Sequence, residues 1–304
     1  MALTSFRAGP HQVRVPATSA NLGPGFDALG LALSLHNVVA VRVVDSGLHV
    51  DVAGEGAESV RRDKRNLVVR SMRAAFDVLG AQPRGLEVVC ANRIPHGRGL
   101  GSSAAAIVSG ICAARAVTLG GMSDDAVLRL ATEIEGHPDN VAACLFGGAT
   151  IAWMGTDKVA HAAPLDVDPS ICPVVFVPGS ARQSTKAARS ALPATVPHAD
   201  AAQTAGRAAL LVRAFAGRPD LLLDATEDRL HQPYRLELQP RAQTLVSRLR
   251  DAGIAAVLSG SGPSVLALAT SPEQAETARS LAGRGFAAIA LSVDNDGAIE
   301  QPAG

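Results

Sequence analysis

The chain has 304 residues, 47% of them hydrophobic, which is enough for one large domain or two ordinary ones with a buried core. Its 28 basic residues balance its 28 acidic residues, so net charge gives no attraction to nucleic acid or to an anionic membrane. Seven Phe, one Trp and one Tyr are too few for a base-stacking surface.

The cysteines and the apolar runs indicate a soluble protein. The four cysteines are widely and irregularly spaced, which argues against a zinc site and a disulfide framework and favours free thiols in a reducing compartment. Residues 1–10 contain no apolar signal core, and no apolar run reaches the ~18 residues of a membrane span. We therefore expect a cytoplasmic protein with neither a membrane nor a nucleic-acid partner.

The first half of the sequence alternates short runs typical of strands with helical patterns. Five runs rich in β-branched or apolar residues predict strands at 12–15, 38–44, 48–52, 86–90 and 149–154. Three helical patterns lie between them: one amphipathic, one uniformly apolar and one with a Ser-Asp-Asp start. These helices are predicted over residues 66–79, 102–119 and 123–134.

The second half begins after Pro164 and mixes the two element types without a regular alternation. Strands are predicted at 173–177, 256–259, 265–269 and 287–291, and helices at 184–191, 199–216, 241–252 and 272–281. This order favours an α+β fold over a doubly wound parallel sheet. We expect an N-terminal domain of residues 1–163 and a C-terminal domain of residues 164–304.

The clearest local signal is the run IPHGRGLGSSAAA at residues 94–106, between a predicted strand and a predicted helix. Gly97, Gly99 and Gly101 let the backbone take positive φ and approach an anion closely. Ser102 and Ser103 then begin a helix whose free N–H groups attract negative charge. The run lacks the lysine of a Walker A loop and the acidic partner of a dinucleotide fingerprint. A polyphosphate fits this loop; a tight turn with a serine cap is the alternative.

Three separated segments resemble, in order, sequence blocks of the GHMP family of small-molecule kinases. The run VPATSANLGPGFD at 15–27 resembles the family's substrate-site block, and residues 95–106 resemble its ATP loop. The run LSGSGPS at 258–264 resembles its C-terminal glycine-rich block. The resemblance implies a two-domain GHMP kinase fold, with an N-terminal domain like ribosomal protein S5, an α+β C-terminal domain and the site between them.

Within the family, the branch that phosphorylates homoserine is the most similar. Three segments of this chain resemble segments of that branch: EGHPDNVA at 135–142, STKAAR at 184–189 and QPYR at 232–235. The resemblance implies ATP and Mg²⁺ as cofactors and L-homoserine as the substrate. The residues then expected at the nucleotide are Pro95, Gly97, Arg98, Gly99, Leu100, Gly101, Ser102 and Ser103. Glu135 is the implied metal ligand, with Ser103 or Ser102 as its hydroxyl partner, because Mg²⁺ takes one or two protein oxygens.

An amino-acid alcohol presents an ammonium, a carboxylate and a hydroxyl. On the resemblance, Asp27 is expected to bind the ammonium, and Arg189 and Arg235 the carboxylate. Asn21 and Asn140 are expected to hydrogen-bond the hydroxyl or fix its neighbours. The residues implied in catalysis are Asn21, Asn140 and Arg189. Two further substrate contacts rest on the resemblance alone, His137 and Thr185.

The sequence leaves open which group accepts the proton of the substrate hydroxyl. Other family members place an Asp against the hydroxyl, whereas the position here is Asn140, which cannot take a proton. Its neighbour Asp139 is expected to point elsewhere. We therefore favour direct transfer, in which the phosphoryl group receives the proton late and catalysis is mostly electrostatic. His137 is the other candidate base, with a purely structural histidine as the alternative.

Two other functions remain open from the sequence. A mevalonate-type kinase would keep the phosphate loop but phosphorylate an alcohol without an amine, which would leave Asp27 without its role. An S5-like RNA-binding module would need a basic surface stripe, which the neutral composition disfavours. The third block is expected either beside the phosphate loop or in a simple strand crossing, and a homodimer is a further expectation.

Overall fold

The computed structural model describes residues 6–179 and 184–302, which form two β-sheets with helices packed against them. The strands are β1 (His11–Asn21), β2 (Gly25–Val44), β3 (Gly47–Gly54), β4 (Gly85–Asn92), β5 (Ala149–Met154), β6 (Ala160–Leu165), β7 (Cys172–Pro178), β8 (Ala255–Leu258), β9 (Val265–Ala269), β10 (Phe286–Ala290) and β11 (Ile299–Pro302). The helices are α1 (Leu67–Val78), α2 (Ser102–Ala116), α3 (Asp124–Glu135), α4 (Asp139–Phe146), α5 (Thr185–Ser190), α6 (His198–Phe215), α7 (Leu222–Ala225), α8 (Gln232–Glu237), α9 (Pro240–Asp251) and α10 (Pro272–Ser280). The α+β class expected from the sequence is confirmed.

The first sheet has seven strands, with the order β11-β1-β2-β4-β3 and with β5 and β6 joined to it through β2. Strands β1 and β2 are antiparallel along most of their length, and β3 and β4 are parallel. The sequence predicted only the second part of β2, because the first part is rich in Gly, Ala and Leu and lacks the β-branched residues typical of strands. This first part leads directly out of the predicted substrate-site block.

The second sheet is antiparallel, in the order β10-β7-β9-β8, and its strands β7, β9 and β8 are buried on both faces. Because side chains alternate along a strand, Val175 and Leu266 join the large core shared with the first sheet. Their neighbours Val174 and Val265 join a second core, to which α9 and α10 contribute. The second sheet therefore packs firmly against the first half of the chain, and residues from both halves can share one site.

The first sheet contains residues from both sides of the domain boundary expected between residues 163 and 164. Strand β6, which the sequence did not predict, pairs with β5 and continues to Leu165. Strand β11, also unpredicted, pairs with β1, so the C-terminal residues return to the first sheet. The two-domain division stays a prediction, with residues 299–302 on the N-terminal sheet. Helices α4, α7 and α8 were not predicted either.

The described cysteines are free, and three of them are buried. Burial raises the pKa of Cys90 to about 11, so its thiol stays protonated at neutral pH. Among the described residues, no helix combines the length and the apolar character needed to cross a bilayer.

The packing of α1 on α2 predicts opposite effects of two glycine substitutions. A Cβ on Gly110 of α2 would lie 2.5 Å from the Val68 carbonyl oxygen, whereas one on Gly206 of α6 would meet no atom within 4 Å. Gly110→Ala should therefore destabilise the protein by about 1–3 kcal/mol through overpacking. Gly206→Ala, the control, should stabilise it by about 0.5–1 kcal/mol, because alanine favours the helix. Denaturant midpoints measure both, and a stabilising Gly110→Ala would contradict the close packing.

Candidate active site

The glycine run links β4 to α2 and leaves the start of that helix open. Gly99 and Gly101 have φ of +74° and +67°, and a Cβ on either would lie about 2 Å from a neighbouring oxygen, so only glycine fits. Gly101 precedes the first residue of α2, and none of the described side chains caps the helix there. The first N–H groups of α2 and the positive end of its dipole are thus free to attract an anion.

Two distant segments hold this loop in place. From β1, the Thr18 N–H donates to the Leu100 carbonyl at 3.2 Å. From the third glycine-rich block, the Ser259 hydroxyl donates to the Gly99 carbonyl at 2.6 Å, and the Ser264 N–H donates to the Arg98 carbonyl at 3.3 Å. Of the two placements that the sequence left open, the structure therefore shows the third block packed beside the phosphate loop.

A polar cavity of about 90 Å³ lies at the meeting point of these segments. It brings together most residues that the sequence singled out, from both halves of the chain. The predicted residues that line it are Asn21, Asp27, Gly97, Gly99, Gly101, Ser102, Ser103, Glu135, His137, Asn140, Arg189 and Arg235. Asp139, Gly260 and Ser261 also line it.

Three predicted residues, Pro95, Arg98 and Leu100, are not among those that line the cavity. Pro95 and Leu100 are buried beneath the loop. The Arg98 guanidinium donates to the carbonyls of Pro178 and Gly179, so in this structure it joins the loop to the end of β7. Thr185 begins α5, and its side chain lies outside the described part of the structure.

Asp27 and Arg189 form a two-pronged ion pair on the cavity wall. The two guanidinium nitrogens donate to the two carboxylate oxygens at 2.8 and 2.7 Å. The hydrogen bond from Arg189 to Asp27 raises the pKa of the arginine. The Phe26 ring centre lies 5.6 Å from the Arg189 guanidinium carbon and 5.0 Å from that of Arg235, close enough for cation–π attraction to both. The ring therefore offsets part of the repulsion between the two cations.

Arg235 is a buried cation with incomplete hydrogen bonding. Only 2% of the residue is exposed, its Nη1 donates to the Gly260 carbonyl at 3.1 Å, and its Nε has no partner among the described residues. Burial, together with the charge of Arg189, lowers the pKa of Arg235. The Asp228 carboxylate fixes the start of α8 by accepting from the N–H groups of His231 and Gln232. Because the buried Arg235 guanidinium has incomplete hydrogen bonding, it favours the approach of an anion.

The turn from β1 into β2 has a strained backbone. Asn21, Leu22 and Asp27 have φ of 69°, 50° and 54°, in the left-handed region that side chains other than Asn and Asp rarely adopt. The Asn21 amide holds this turn, since its Oδ1 accepts from the Asp27 N–H and its Nδ2 donates to the Gly260 carbonyl, both at 3.0 Å. The turn thus fixes Asp27 relative to the third block.

At the start of α4, the Asp139 carboxylate lies at the centre of a small network. Its Oδ1 is 2.6 Å from Nδ1 of His137 and accepts from the Asn140 N–H at 2.7 Å. Burial alone would lower the pKa of His137, but the hydrogen bond to Asp139 and the charges of Asp139, Glu135 and Asp27 outweigh it and raise the pKa. His137 is therefore better suited to act as a cation or donor than as a base.

Glu135 and Ser103 provide two oxygens beside the glycine loop. Glu135 is the last residue of α3, and Gly136, with φ of +94°, ends the helix and turns the chain toward His137. The Ser103 hydroxyl donates to the Glu135 carboxylate at 2.5 Å. A carboxylate with an adjacent hydroxyl is a donor set that suits Mg²⁺.

A second cavity, of about 230 Å³, shares Ser102 and Ser103 with the first and is lined mainly by apolar surface. Val39, Leu67 and Cys90 contribute to its wall. The serines at the start of α2 thus separate a polar, charged cavity from a mainly apolar one. This pair of cavities suits a ligand that has a charged end and a flat apolar end.

Sequence reasoning missed Thr18 and Phe26 as residues of this site, and its expectation that Asp139 points elsewhere is wrong, because Asp139 lines the cavity. Thr18 and Phe26 belong to the substrate-site block but carry no charge, and a threonine or a phenylalanine in a strand is usually a packing residue. Their contacts reach residues 122 or more positions away, which no local pattern reveals.

Comparisons with known proteins cover up to 99% of the chain. The family model for the GHMP kinases N terminal domain matches residues 66–148, and the model for the GHMP kinases C terminal region matches residues 208–286. The homoserine kinase of Streptomyces avermitilis is 62% identical over 307 aligned residues, which cover 99% of each chain. That of Clavibacter michiganensis is 52% identical, over 95% of this chain and 93% of its own. The crystal structure of homoserine kinase from Cytophaga hutchinsonii superposes with a TM-score of 0.86 at 28% identity, covering 99% of this chain and all of that one.

The Asp139 network predicts the behaviour of His137. Asp139→Asn should lower the pKa of His137, because it removes the negative charge that outweighs burial. A raised pKa in the folded state stabilises the fold below the ordinary histidine pKa, and this is lost as pH rises through the raised value. The loss of stability in Asp139→Asn should therefore be larger near about pH 6 than near about pH 9.

NMR titration of the His137 imidazole and unfolding at the two pH values measure these effects. Glu133→Gln, on the exposed side of α3, is the control and should change neither. An unchanged pKa of His137 in Asp139→Asn would contradict the assigned network.

Proposed function

The chain belongs to the GHMP kinase family, and from that premise we propose that it transfers the γ-phosphoryl group of ATP to the side-chain hydroxyl of L-homoserine, giving O-phospho-L-homoserine. One observation carries the choice of substrate: an acid and two guanidinium groups line the same cavity as the open start of α2. Membership in the GHMP kinase family also argues against the RNA-binding module that the sequence left open.

The two adjoining cavities support a binding mode for ATP. The free N–H groups at the start of α2 and the glycine loop receive the phosphates, and the 230 Å³ cavity behind Ser102 and Ser103 receives the base. Mainly apolar walls suit the faces of a purine. The triphosphate then runs from the apolar cavity into the charged one, with its terminal phosphate toward the acceptor.

Mg²⁺ fits the oxygens beside the loop. Ser103 and Glu135 would hold the ion, which would supply charge neutralisation for the phosphates when bound. The close approach of their two oxygens supports this proposal, because both side chains then face the same small volume. Removal of divalent cations should accordingly abolish turnover.

The Asp27–Arg189 pair supports recognition of a zwitterion. A homoserine molecule carries the same two charges, so its ammonium can take Asp27 while its carboxylate takes Arg189. Arg235, which is buried and whose Nε–H has no acceptor among the residues that the structure describes, adds a second guanidinium for the carboxylate. Thr185 and His137 are further proposed substrate contacts. An alcohol that lacks the ammonium or the carboxylate can bind only one partner of the Asp27–Arg189 ion pair.

The reaction itself needs alignment and charge stabilisation. The homoserine hydroxyl oxygen forms a bond to the γ-phosphorus, the bond from that phosphorus to the bridging oxygen of ADP breaks, and the hydroxyl proton passes to the phosphoryl oxygens. The carboxylate next to Asn140 in sequence, that of Asp139, is 2% exposed and already accepts from its neighbours. This supports direct transfer rather than a carboxylate base, with Asn21 and Asn140 around the hydroxyl.

A homodimer and a cytoplasmic location complete the proposal for the whole protein. The balanced charge and the thiol cysteines support the location. Size-exclusion chromatography with light scattering would test the dimer.

A panel of acceptors tests the proposed substrate. In a coupled ADP assay, L-homoserine should be turned over, while 4-hydroxybutyrate and 3-aminopropanol, which each lack one charge, should lose about 10- to 100-fold or more in kcat/KM. Mevalonate serves as the acceptor of the competing kinase class. Turnover of mevalonate without turnover of homoserine would reject the proposal.

Substitution of Arg235 separates acceptor binding from nucleotide binding. Arg235→Ala should raise the KM for homoserine by about 10- to 100-fold, because it removes charge-assisted hydrogen bonds to the carboxylate, and should change the KM for ATP far less. Arg241→Ala, at an exposed arginine of α9, is the matched control. Thermal unfolding checks that both variants are folded, and equal effects on the two KM values would show that Arg235 does not hold the acceptor.

A further inference from the structure

Thr18 lies in the middle of β1 and is completely buried, yet its hydroxyl is directed at the candidate site. The Oγ1–H donates to Oδ1 of Asn140 at 2.7 Å, across 122 positions of sequence. Asn140 is the residue that takes the place of a base in this site and lines its cavity. The hydroxyl of Thr18 therefore acts on the orientation of a group that faces the reacting atoms.

Asp139 makes this orientation the favourable one. Nδ2 of Asn140 lies 3.4 Å from Oδ1 of Asp139, at the outer limit of a hydrogen bond. If the carboxamide were rotated by half a turn, its oxygen would face the carboxylate oxygen and the two would repel. The Thr18 donor on one side and the Asp139 acceptor on the other thus select the same rotamer. In that rotamer the carbonyl oxygen accepts from Thr18, one amide N–H is directed to Asp139, and one N–H remains available to donate to a ligand.

Thr18 also contacts the phosphate loop. Its backbone N–H donates to the Leu100 carbonyl at 3.2 Å. A Cβ on Gly101 would lie 1.9 Å from Oγ1 of Thr18 and 3.1 Å from Oδ1 of Asn140, so the loop backbone rests directly against this hydrogen bond. One residue thereby links the loop assigned to the nucleotide with the amide assigned to the acceptor.

We propose that Thr18 is a positioning residue that locks the Asn140 amide as an N–H donor toward the acceptor oxygen and the transferring phosphoryl group, at a fixed distance from the glycine loop. The inference rests on the proposed phosphoryl transfer at this site. Its physical basis is alignment: a misplacement of about 1 Å can cost on the order of 100-fold in rate. Without the hydroxyl, the Asn140 carbonyl oxygen loses its donor and the amide is free to rotate.

Thr18→Val removes the hydroxyl and keeps the shape of the side chain, and Thr18→Ser keeps the hydroxyl. Thr18→Val should lower kcat by about 10- to 100-fold, with the KM values for acceptor and ATP changed by less than about threefold. Thr18→Ser should retain kcat within about threefold. A purely structural role predicts the opposite order, because serine loses the buried methyl group that valine keeps. Equal losses in the two variants, or an unchanged kcat in Thr18→Val, would overturn the proposal.

A double-mutant cycle tests whether Thr18 acts through Asn140. In an Asn140→Ala background, Thr18→Val should lower kcat by less than about twofold, because the group that it positions is gone. Full additivity of the two losses would overturn the proposal. If Thr18→Val does not fold, Thr18→Ala is carried through the same cycle, with thermal unfolding as a check.

The wild-type protein is assayed first with the acceptor panel. Absence of homoserine turnover there would reject the proposed function. The Thr18 variants are then measured with whichever alcohol the wild-type protein phosphorylates, so the two proposals fail separately.

Discussion

The site depends on the close approach of two backbone segments to the glycine loop. Strand β1 hydrogen-bonds to Leu100, and the segment after β8 hydrogen-bonds to Gly99 and Arg98. A Cβ on Gly99 would lie 2.1 Å from the Ser259 carbonyl oxygen, so no other residue allows this approach. Because the segments come from opposite ends of the chain, the start of α2 opens into a cavity only when both sheets are in place. Folding and assembly of the site are therefore one event.

The same geometry explains how a neutral protein can present a strongly charged site. Arg189 is paired with Asp27, Arg235 is buried with an Nε that has no partner in the described part of the chain, and the Phe26 ring centre lies 5.6 and 5.0 Å from the two guanidinium carbons. The cations are thus held together by a carboxylate and an aromatic ring. A zwitterion can exchange partners with the ion pair without leaving a charge uncompensated, which links the local electrostatics to the choice of an amino-acid alcohol.

Local patterns predicted the elements that carry their own signal, and β5 and β9 match their predicted bounds. Strand β11 could not be predicted in this way, because the run IEQP has weak strand propensity and becomes a strand by pairing with the free edge of β1. The candidate charged residues were recognisable because acids and guanidinium groups suit a zwitterion. Thr18 was not, since an uncharged residue acquires its role only from a contact made across 122 positions.

The contacts around Asn140 support the proposal that phosphoryl transfer at this site proceeds without a carboxylate base. Asp139 lines the same cavity, but it is buried and shared between His137 and the Asn140 backbone, and it raises the pKa of that histidine. Its negative charge therefore orients the N–H donors around it and favours the protonated form of the His137 imidazole. In a reaction whose transition state gathers negative charge on phosphoryl oxygens, donors held in place stabilise that charge, whereas a free carboxylate at the same position would repel it. The proposed role of the Asn140 amide as a donor is thus consistent with the electrostatics of phosphoryl transfer.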